Sequence, residues 1–203
     1  MIVDDNIASK VKSYQEKFQK YGKGPKALKW LSKDSAQKRY RELVADVDFK
    51  GKRILDFGCG FADIIGYISR KSKTFKYTGV DIVPEFIEVC RKRYLKHKFI
   101  LRDYLANPLS KMYDIVISSG ALNSKVKENL AFRKNAIKIM FNHTTYALAF
   151  NMAGGYPQPK NKKKYKVYYV NSLKILKFCL TLTSKLIFRQ SYHQKDFTIV
   201  MFK

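Results

Sequence analysis

Ile54-Leu55-Asp56-Phe57-Gly58-Cys59-Gly60-Phe61-Ala62-Asp63 is the stretch that decides how this chain folds. An apolar run ends in an acid, a Gly-x-Gly turn follows, and Ile64, Ile65, Tyr67 and Ile68 continue at helical spacing. The pattern predicts a strand, a tight loop and the start of a helix over about 61–70. Glycine has no Cβ, so such a loop lets a ligand come close to the backbone. Open N–H groups at a helix start favour an anionic group there. Asp56, beside the turn, can accept hydrogen bonds from a cationic or hydroxyl-bearing ligand. Cys59 reads as a small packing residue, because no histidine or second cysteine is spaced to activate a thiol.

A second strand, Phe75-Lys76-Tyr77-Thr78-Gly79-Val80-Asp81, also ends in an acid. Asp81 follows Gly60 by 21 residues, about the interval at which an acid meets ribose hydroxyls in Rossmann-type sites. Phe61 and Ala62 stand where a dinucleotide fingerprint would carry its third glycine, which argues against NAD.

The ordered series Asp56-Phe57-Gly58-Cys59-Gly60, Gly79-Val80-Asp81-Ile82, Arg102-Asp103 and Tyr113-Asp114-Ile115-Val116-Ile117-Ser118-Ser119 resembles the class I S-adenosylmethionine-dependent methyltransferases over roughly residues 35–151. Ser119-Gly120-Ala121-Leu122-Asn123 and the segment 191–198 are similar to a poorly characterised bacterial subgroup of them. The resemblance implies S-adenosyl-L-methionine as cofactor. It assigns Asp56, Gly58, Cys59 and Gly60 to the loop under the methionine part, Asp81 with Ile82 to the ribose, and Asp103 with Tyr104 to the adenine. Ala62 replaces the commoner glycine and is small enough to keep the loop against its helix. The expected fold is α/β, with a seven-stranded, mostly parallel sheet, a C-terminal antiparallel hairpin and helices on both faces.

Composition agrees with one compact domain: 203 residues, 46% hydrophobic. No apolar run reaches the length of a membrane span. The first residues lack the basic start and apolar stretch of a signal peptide. Cys59, Cys90 and Cys179 have no metal-like spacing, and the expected location is cytoplasmic. The formal charge is +25, from 41 Lys and Arg against 16 acids. That surplus suits a polyanion such as RNA. Lysine supplies most of it, whereas phosphate-reading surfaces recruit arginine. A/T-rich coding is an equal explanation. Basic residues clustered at the cofactor mouth would favour RNA, and scattered ones would favour compositional drift.

Residues 1–33 read as a helical extension or lid, and 34–203 as the methyltransferase domain. Ile7, Val11, Tyr14, Phe18 and Tyr21 mark one helical face. Ala27, Leu28, Trp30 and Leu31 form a short amphipathic piece, and Asp34 or Ser35 is placed to cap the next helix. Later strands are expected at 98–101, 114–118 and 145–151, helices from Pro84 and over 126–141, a loop over 154–166, a helix through Leu173–Leu180, and a hairpin of 186–192 with 197–202.

Methyl transfer needs an aligned acceptor and, for a hydroxyl or protonated amine, a proton acceptor. The acceptor is expected beyond the fourth strand, facing Ser119 to Asn123. That segment is not the Asn/Asp-Pro-Pro-Tyr/Phe motif for planar amino groups, and neither a Pro-Cys nucleophile nor a Lys-Asp-Lys-Glu set is present. Ser119 and Asn123 can orient an acceptor or a cofactor carboxylate, or simply end the strand. Arg41, near Gln37 and Tyr40, can pair with that carboxylate or lie exposed. His143 is a candidate base or a helix cap. Asn151, Gly154 and Gly155 lie at the same sheet edge, whereas Tyr192 and His193 are assigned a structural role. The favoured function is methylation of a small molecule. RNA methylation guided by Lys160, Lys162, Lys163, Lys164 and Lys166 is the rival, and a non-catalytic cofactor-binding subunit is a third reading. The sequence leaves the oligomeric state open.

Overall fold

The structure, a computed structural model, describes residues 7–30, 32–158 and 167–203. Five strands, β1 (Arg53–Phe57), β2 (Lys76–Asp81), β3 (Lys98–Leu101), β4 (Tyr113–Ser119) and β5 (Thr144–Gly155), are mutually parallel. β7 (Leu186–Arg189) and β8 (Asp196–Phe202) close the sheet as an antiparallel pair, with β8 antiparallel to β5. The order is β3-β2-β1-β4-β5-β8-β7. A two-residue strand, β6 (Val170–Asn171), joins the far end of β5 and makes the sheet eight-stranded. The expected α/β methyltransferase sheet is therefore present, with that short addition.

Side chains alternate across the strands, so each strand feeds two cores. Ile54, Ile115, Ile117, Ala147 and Ala149 point to one face, beneath α2 (Lys33–Val44), α3 (Ile65–Lys71) and α4 (Pro84–Arg93). Leu55, Val116, Leu148 and Phe150 point to the other, beneath α5 (Asn129–Asn142) and α6 (Ser172–Leu180). Strands buried on both faces carry the near-continuous apolar runs seen in the sequence.

α1 (Ile7–Tyr21) stands apart from this layering and contains no fully buried residue. Its Tyr14, Phe18 and Tyr21 rest on a third cluster built from Ala27, Phe61, Val83, Phe86 and Val89. Phe18 lies 6.0 Å from Phe61 and 6.1 Å from Phe86, ring centre to ring centre. Gln15 adds a 2.7 Å hydrogen bond from Nε2 to Glu85.

Several local expectations change. The helix after β1 begins at Ile65, because Ala62 takes a left-handed φ of +55° and residues 61–64 form turns. Residues 27–29 are turns as well, with Lys29 at φ +60°; Leu31 lies outside the described residues. The α2 cap is Ser32, whose hydroxyl accepts from Ser35 N at 3.1 Å, rather than Asp34 or Ser35. β5 runs through Gly155, so Gly154 and Gly155 belong to the sheet. Lys160, Lys162, Lys163, Lys164 and Lys166 lie outside the described residues.

Candidate active site

The parallel strands bring their carboxyl ends together, and the loops there surround a cavity of about 770 Å³. Its floor is the turn after β1. Gly58 (φ +71°) and Gly60 (φ +53°) need the left-handed region that glycine tolerates. Neither has room for a side chain: a Cβ on Gly58 would lie 2.4 Å from Ala121 Cβ, and one on Gly60 would lie 2.9 Å from Leu28 Cδ2.

The loop amides are already engaged. Gly58 N and Cys59 N both donate to Val80 O, at 2.9 and 3.1 Å, and Gly60 N donates to Asp81 Oδ2 at 2.9 Å. The helix starts only at Ile65, so the amides of Gly58, Cys59 and Gly60 are not free for an anionic group. The turn suits a ligand without phosphate.

Asp81 lines the cavity, and Val83 N donates to its Oδ1 at 3.1 Å. Burial raises its carboxyl above the usual range, and the amides of Gly60, Val83 and Ile82 oppose that shift. Asp56 also lines the cavity and accepts from the Tyr77 hydroxyl at 2.5 Å. Burial pushes Asp56 up to about 7, against the Tyr77 hydrogen bond. Asp103 Oδ1 accepts from Leu105 N and Ala106 N, at 3.2 and 3.3 Å, which fixes the turn after β3 at the cavity wall. Ile82 and Cys59 complete this end.

At the other end are Ser119, Gly120 and Asn123, after β4. Asn123 Oδ1 accepts from Ala153 N at 2.8 Å, and Ser119 Oγ accepts from Asn151 Nδ2 at 3.4 Å. These bonds tie the loop to the end of β5, so Asn123 has a structural task as well as a place on the lining. Trp30, the single tryptophan, packs here with its ring 3.0 Å from where a Cβ on Gly120 would stand.

α1 crosses the top of the cavity and lends it Lys10, Ser13, Tyr14 and Lys17. Burial, with Asp81 nearby, pushes the Tyr14 phenol up to about 12. Burial, Arg133 and Lys29 bring the Lys10 ammonium down to about 8, opposed by Asp103.

Three expected residues are placed elsewhere. Arg41 is exposed and off the lining, while Arg39 and Tyr40 are on it. Two residues along a helix turn the side chain by about 200°, so Arg39 and Arg41 cannot share a face. Tyr104 is buried against Phe57, 5.6 Å between ring centres, and is not on the lining. Its hydroxyl meets His143 Nδ1 at 2.5 Å. His143 caps α5 at the amino edge of the sheet, opposite the cavity. It is therefore withdrawn as a candidate base.

The structure instead gathers residues that the sequence reading missed or set aside. Asp196 begins β8 opposite Ala153 of β5, and is 1% exposed. Its Oδ2 forms a short ion pair with Arg39 Nη2 and lies 2.7 Å from His193 Nδ1. Burial raises the Asp196 carboxyl, and Arg39 and His193 hold it back. Arg39 is braced by Ser35 Oγ at 2.5 Å and stacks over Trp30 at 4.5 Å. All of them except Ser35 line the cavity.

A parallel sheet in this order, closed by an antiparallel pair and carrying an acid at the end of β2 beside a glycine turn, defines the class I methyltransferases. Residues 54–142 match the family described as methyltransferase domain. Over 55 residues the chain is 36% identical to the fatty-acid O-methyltransferase of Mycolicibacterium smegmatis, which is 27% of this chain and 20% of that protein. It therefore spans about a fifth of the length of that curated relative. A putative methyltransferase of Mycobacterium tuberculosis is 23% identical over 158 residues, 74% of this chain and 92% of that one. In fold, the structure of DhpI complexed with SAM and HEP superposes with a TM-score of 0.69 at 13% identity, covering 98% of this chain and 99% of that one. The chain resembles the methyltransferase family over residues 54–142 and shares the fold of solved methyltransferases.

Proposed function

We propose that this protein transfers the methyl group of S-adenosyl-L-methionine to a small-molecule acceptor. The observation that carries this reading is one continuous cavity with Asp81 at one end, Ser119 at the other and α1 across its mouth. The residues present fit that cofactor. Asp81 offers a buried carboxylate to vicinal hydroxyls, and Asp103 stands at the wall where an adenine amino group would lie. The β1 turn has its Gly58, Cys59 and Gly60 amides satisfied internally and makes no demand for phosphate. Asp56 supplies an acid beside the turn for a cationic tail.

When bound, the cofactor supplies a methyl group already activated on a sulfonium. The chain must orient the acceptor, exclude water and, for some acceptors, take a proton. The N-terminal extension acts as the lid: α1 covers the cavity through Tyr14 and Lys17, and the aromatic rings of Trp30, Phe132 and Tyr169 offer an apolar acceptor body a surface. The curated relative named as a fatty-acid O-methyltransferase supports an acceptor of that apolar kind. Among the described residues no helix is long and apolar enough to cross a membrane.

RNA methylation is the second reading. Lys10, Lys17, Lys26, Lys29, Lys125 and Lys195 all line the cavity, which is the clustered arrangement that favours a polyanion. The place of α1 across the mouth of the cavity favours a small acceptor over a base carried on a strand.

The deciding experiment incubates the protein with methyl-labelled S-adenosylmethionine and an extract separated into RNA, protein and small-molecule fractions, with Asp81→Ala as control. Label in small molecules supports the proposal. Label in RNA replaces it with the second reading. No label above the control in any fraction ends the catalytic reading.

A further inference from the structure

The lining of the cavity is electrically uneven. Its four acids are Asp56, Asp81 and Asp103 at the cofactor end and Asp196 at the other. Asp196 is already engaged, since its Oδ2 pairs with Arg39 and lies 2.7 Å from His193 Nδ1. Lys125, in the loop after β4, lines that same end, as does Lys195, whose carbonyl accepts from Gly154 N of β5 at 2.9 Å. We propose that the acceptor is an apolar monocarboxylate, that this cationic wall holds its anion, and that a carboxylate oxygen takes the methyl group. This inference rests on the methyltransferase reading above.

Three observations carry it. First, a cation is buried behind that wall with no acid beside it. Arg133, early in α5, is 0% exposed. Its Nη1 and Nη2 donate to the carbonyls of Asn129 and Ser124, each at 2.7 Å. Its guanidinium lies 4.5 Å from the Tyr168 ring, and its Nε is buried without a hydrogen-bond partner among the described residues. Burial brings the guanidinium down to about 10, with the Tyr168 phenol acting the other way. A buried charge without a countercharge is costly. Ser124, which Arg133 holds, lines the cavity, so an anion bound there supplies that countercharge.

Second, the lid brings another cation towards the same place. Lys10 of α1 lines the cavity with its Nζ 5.8 Å from the centre of the Phe132 ring, and Phe132 immediately precedes Arg133. Burial and then the Arg133 charge do most to bring the Lys10 ammonium down to about 8, and Asp103 opposes them without cancelling them. Two cations that weaken each other mark a place short of negative charge.

Third, the space beside these charges is apolar. The rings of Trp30, Phe132 and Tyr169 line it. A single carboxylate on an apolar body satisfies both the rings and the cations. A phosphate monoester, largely dianionic at neutral pH, brings a second charge into a space walled by rings.

A carboxyl group is ionised above about pH 5, so its oxygen attacks without the help of a base. A C–O bond forms to the methyl carbon, and the C–S bond breaks with its electron pair going to sulfur. The products are a neutral ester and a neutral thioether, and no proton moves. Charge disappears as the new bond forms, so the cations favour the bound acceptor over the transition state. Their part is to bind and steer. The ester has no charge for them to hold, which favours its release.

The test titrates dodecanoate, dodecanol and dodecyl phosphate into the protein, with and without S-adenosylhomocysteine. The readout is the fluorescence of Trp30, the single tryptophan and part of the lining. Dodecanoate should bind about tenfold or more tightly than either of the others, the worth of one charge-assisted contact. Lys125 is exposed, so Lys125→Gln keeps the fold. It should weaken dodecanoate about threefold, as a screened surface charge does, and flatten the salt dependence of that binding, with S-adenosylhomocysteine affinity unaltered. Arg133→Gln should weaken dodecanoate about tenfold or more; if that variant unfolds, Lys125→Gln and the ranking of the three probes decide. In turnover, methyl label in the small-molecule fraction should be released by mild alkali as methanol, the mark of a methyl ester. With that acceptor Lys125→Gln should raise KM and leave kcat nearly as it was. Equal or tighter binding of dodecanol or of dodecyl phosphate overturns the proposal. So does label that survives alkali, and so does wild-type binding of dodecanoate by both folded variants. If wild type binds no S-adenosylhomocysteine, the methyltransferase reading fails instead, whichever probe binds.

Discussion

The Tyr77 hydroxyl, from near the start of β2, donates to the Asp56 carboxyl, near the end of neighbouring β1, at 2.5 Å. Both groups are buried, and burial raises both: Tyr77 well above its usual range and Asp56 from 3.8 up to about 7. A carboxyl whose folded value is raised binds a proton more tightly when folded. Its contribution to stability is complete below about pH 4 and is lost as the pH rises through about 7. The span corresponds to roughly 4 kcal/mol as an order of magnitude. Asp56→Asn keeps an acceptor for Tyr77 but cannot ionise. Urea unfolding at pH 5 and pH 8 should show wild type losing stability relative to Asp56→Asn on going to the higher pH. A constant gap between the two proteins would rule out this titration.

Asp81 does two things that one substitution separates. It braces the turns at Gly60 and Val83, and it presents a carboxylate to the cavity. Asp81→Asn keeps an acceptor oxygen for one of the two braces and loses the charge. Affinity for S-adenosylhomocysteine should fall about tenfold or more in this variant, near the worth of one charged hydrogen bond, with a smaller loss of stability than in Asp81→Ala. Asp81→Ala should lose affinity and some stability together. Titration calorimetry that finds unaltered affinity in both variants removes Asp81 from the ribose.

The parallel core was legible because its signals are local. Apolar runs ending in Asp56 and Asp81, with glycine or proline after them, mark β1 and β2 without knowledge of neighbours. Pro84 marks the start of α4 in the same way. The missed features depend on tertiary contact. Arg39 and Arg41 are equivalent as composition, and only the seat of α2 on the sheet selects which one faces the cavity. Asp196 and His193, three apart in a terminal hairpin, looked structural until β8 was placed against β5. Their spacing was the one available signal. His143 and Tyr104 followed the reverse course: Tyr104 follows Asp103 in the chain and His143 offers a basic ring at a helix end, yet they meet each other away from the lining. Ala62 hid the late helix start, since nothing in its side chain announces a left-handed backbone.

Gly58 can be tested directly. A methyl group there would meet Ala121 Cβ at 2.4 Å, and the backbone at φ +71° would be strained with any side chain. Ala121 sits in the turn after β4, at Ala121–Asn123, so it cannot swing aside as a long flexible side chain would. Gly58→Ala should destabilise the fold by about 2 kcal/mol and separate the β1 turn from the β4 loop, weakening S-adenosylhomocysteine binding as well. Thermal melts and calorimetry on the same sample check both. Wild-type values for both would mean that the two loops are not in contact.

α1 is the part of the molecule best suited to opening. It buries no residue completely, and its hold on the body includes the edge of Tyr14 on Phe86, the ring of Phe18 between Phe61 and Phe86, and hydrogen bonds of Gln15 to Glu85 and of Lys29 to Ser13. Aromatic pairs of this kind are worth about 1 kcal/mol each beyond the area they bury. Phe18→Ala should therefore loosen the lid without unfolding the sheet, whose two cores contain none of its contacts. Since Trp30 is the single tryptophan and lines the cavity, its fluorescence reports occupancy. In stopped-flow mixing, Phe18→Ala should release S-adenosylhomocysteine about fivefold faster or more, with the association rate equal or higher, because the closed state is the one weakened. An unchanged release rate would show that α1 is a fixed wall of the cavity rather than its lid.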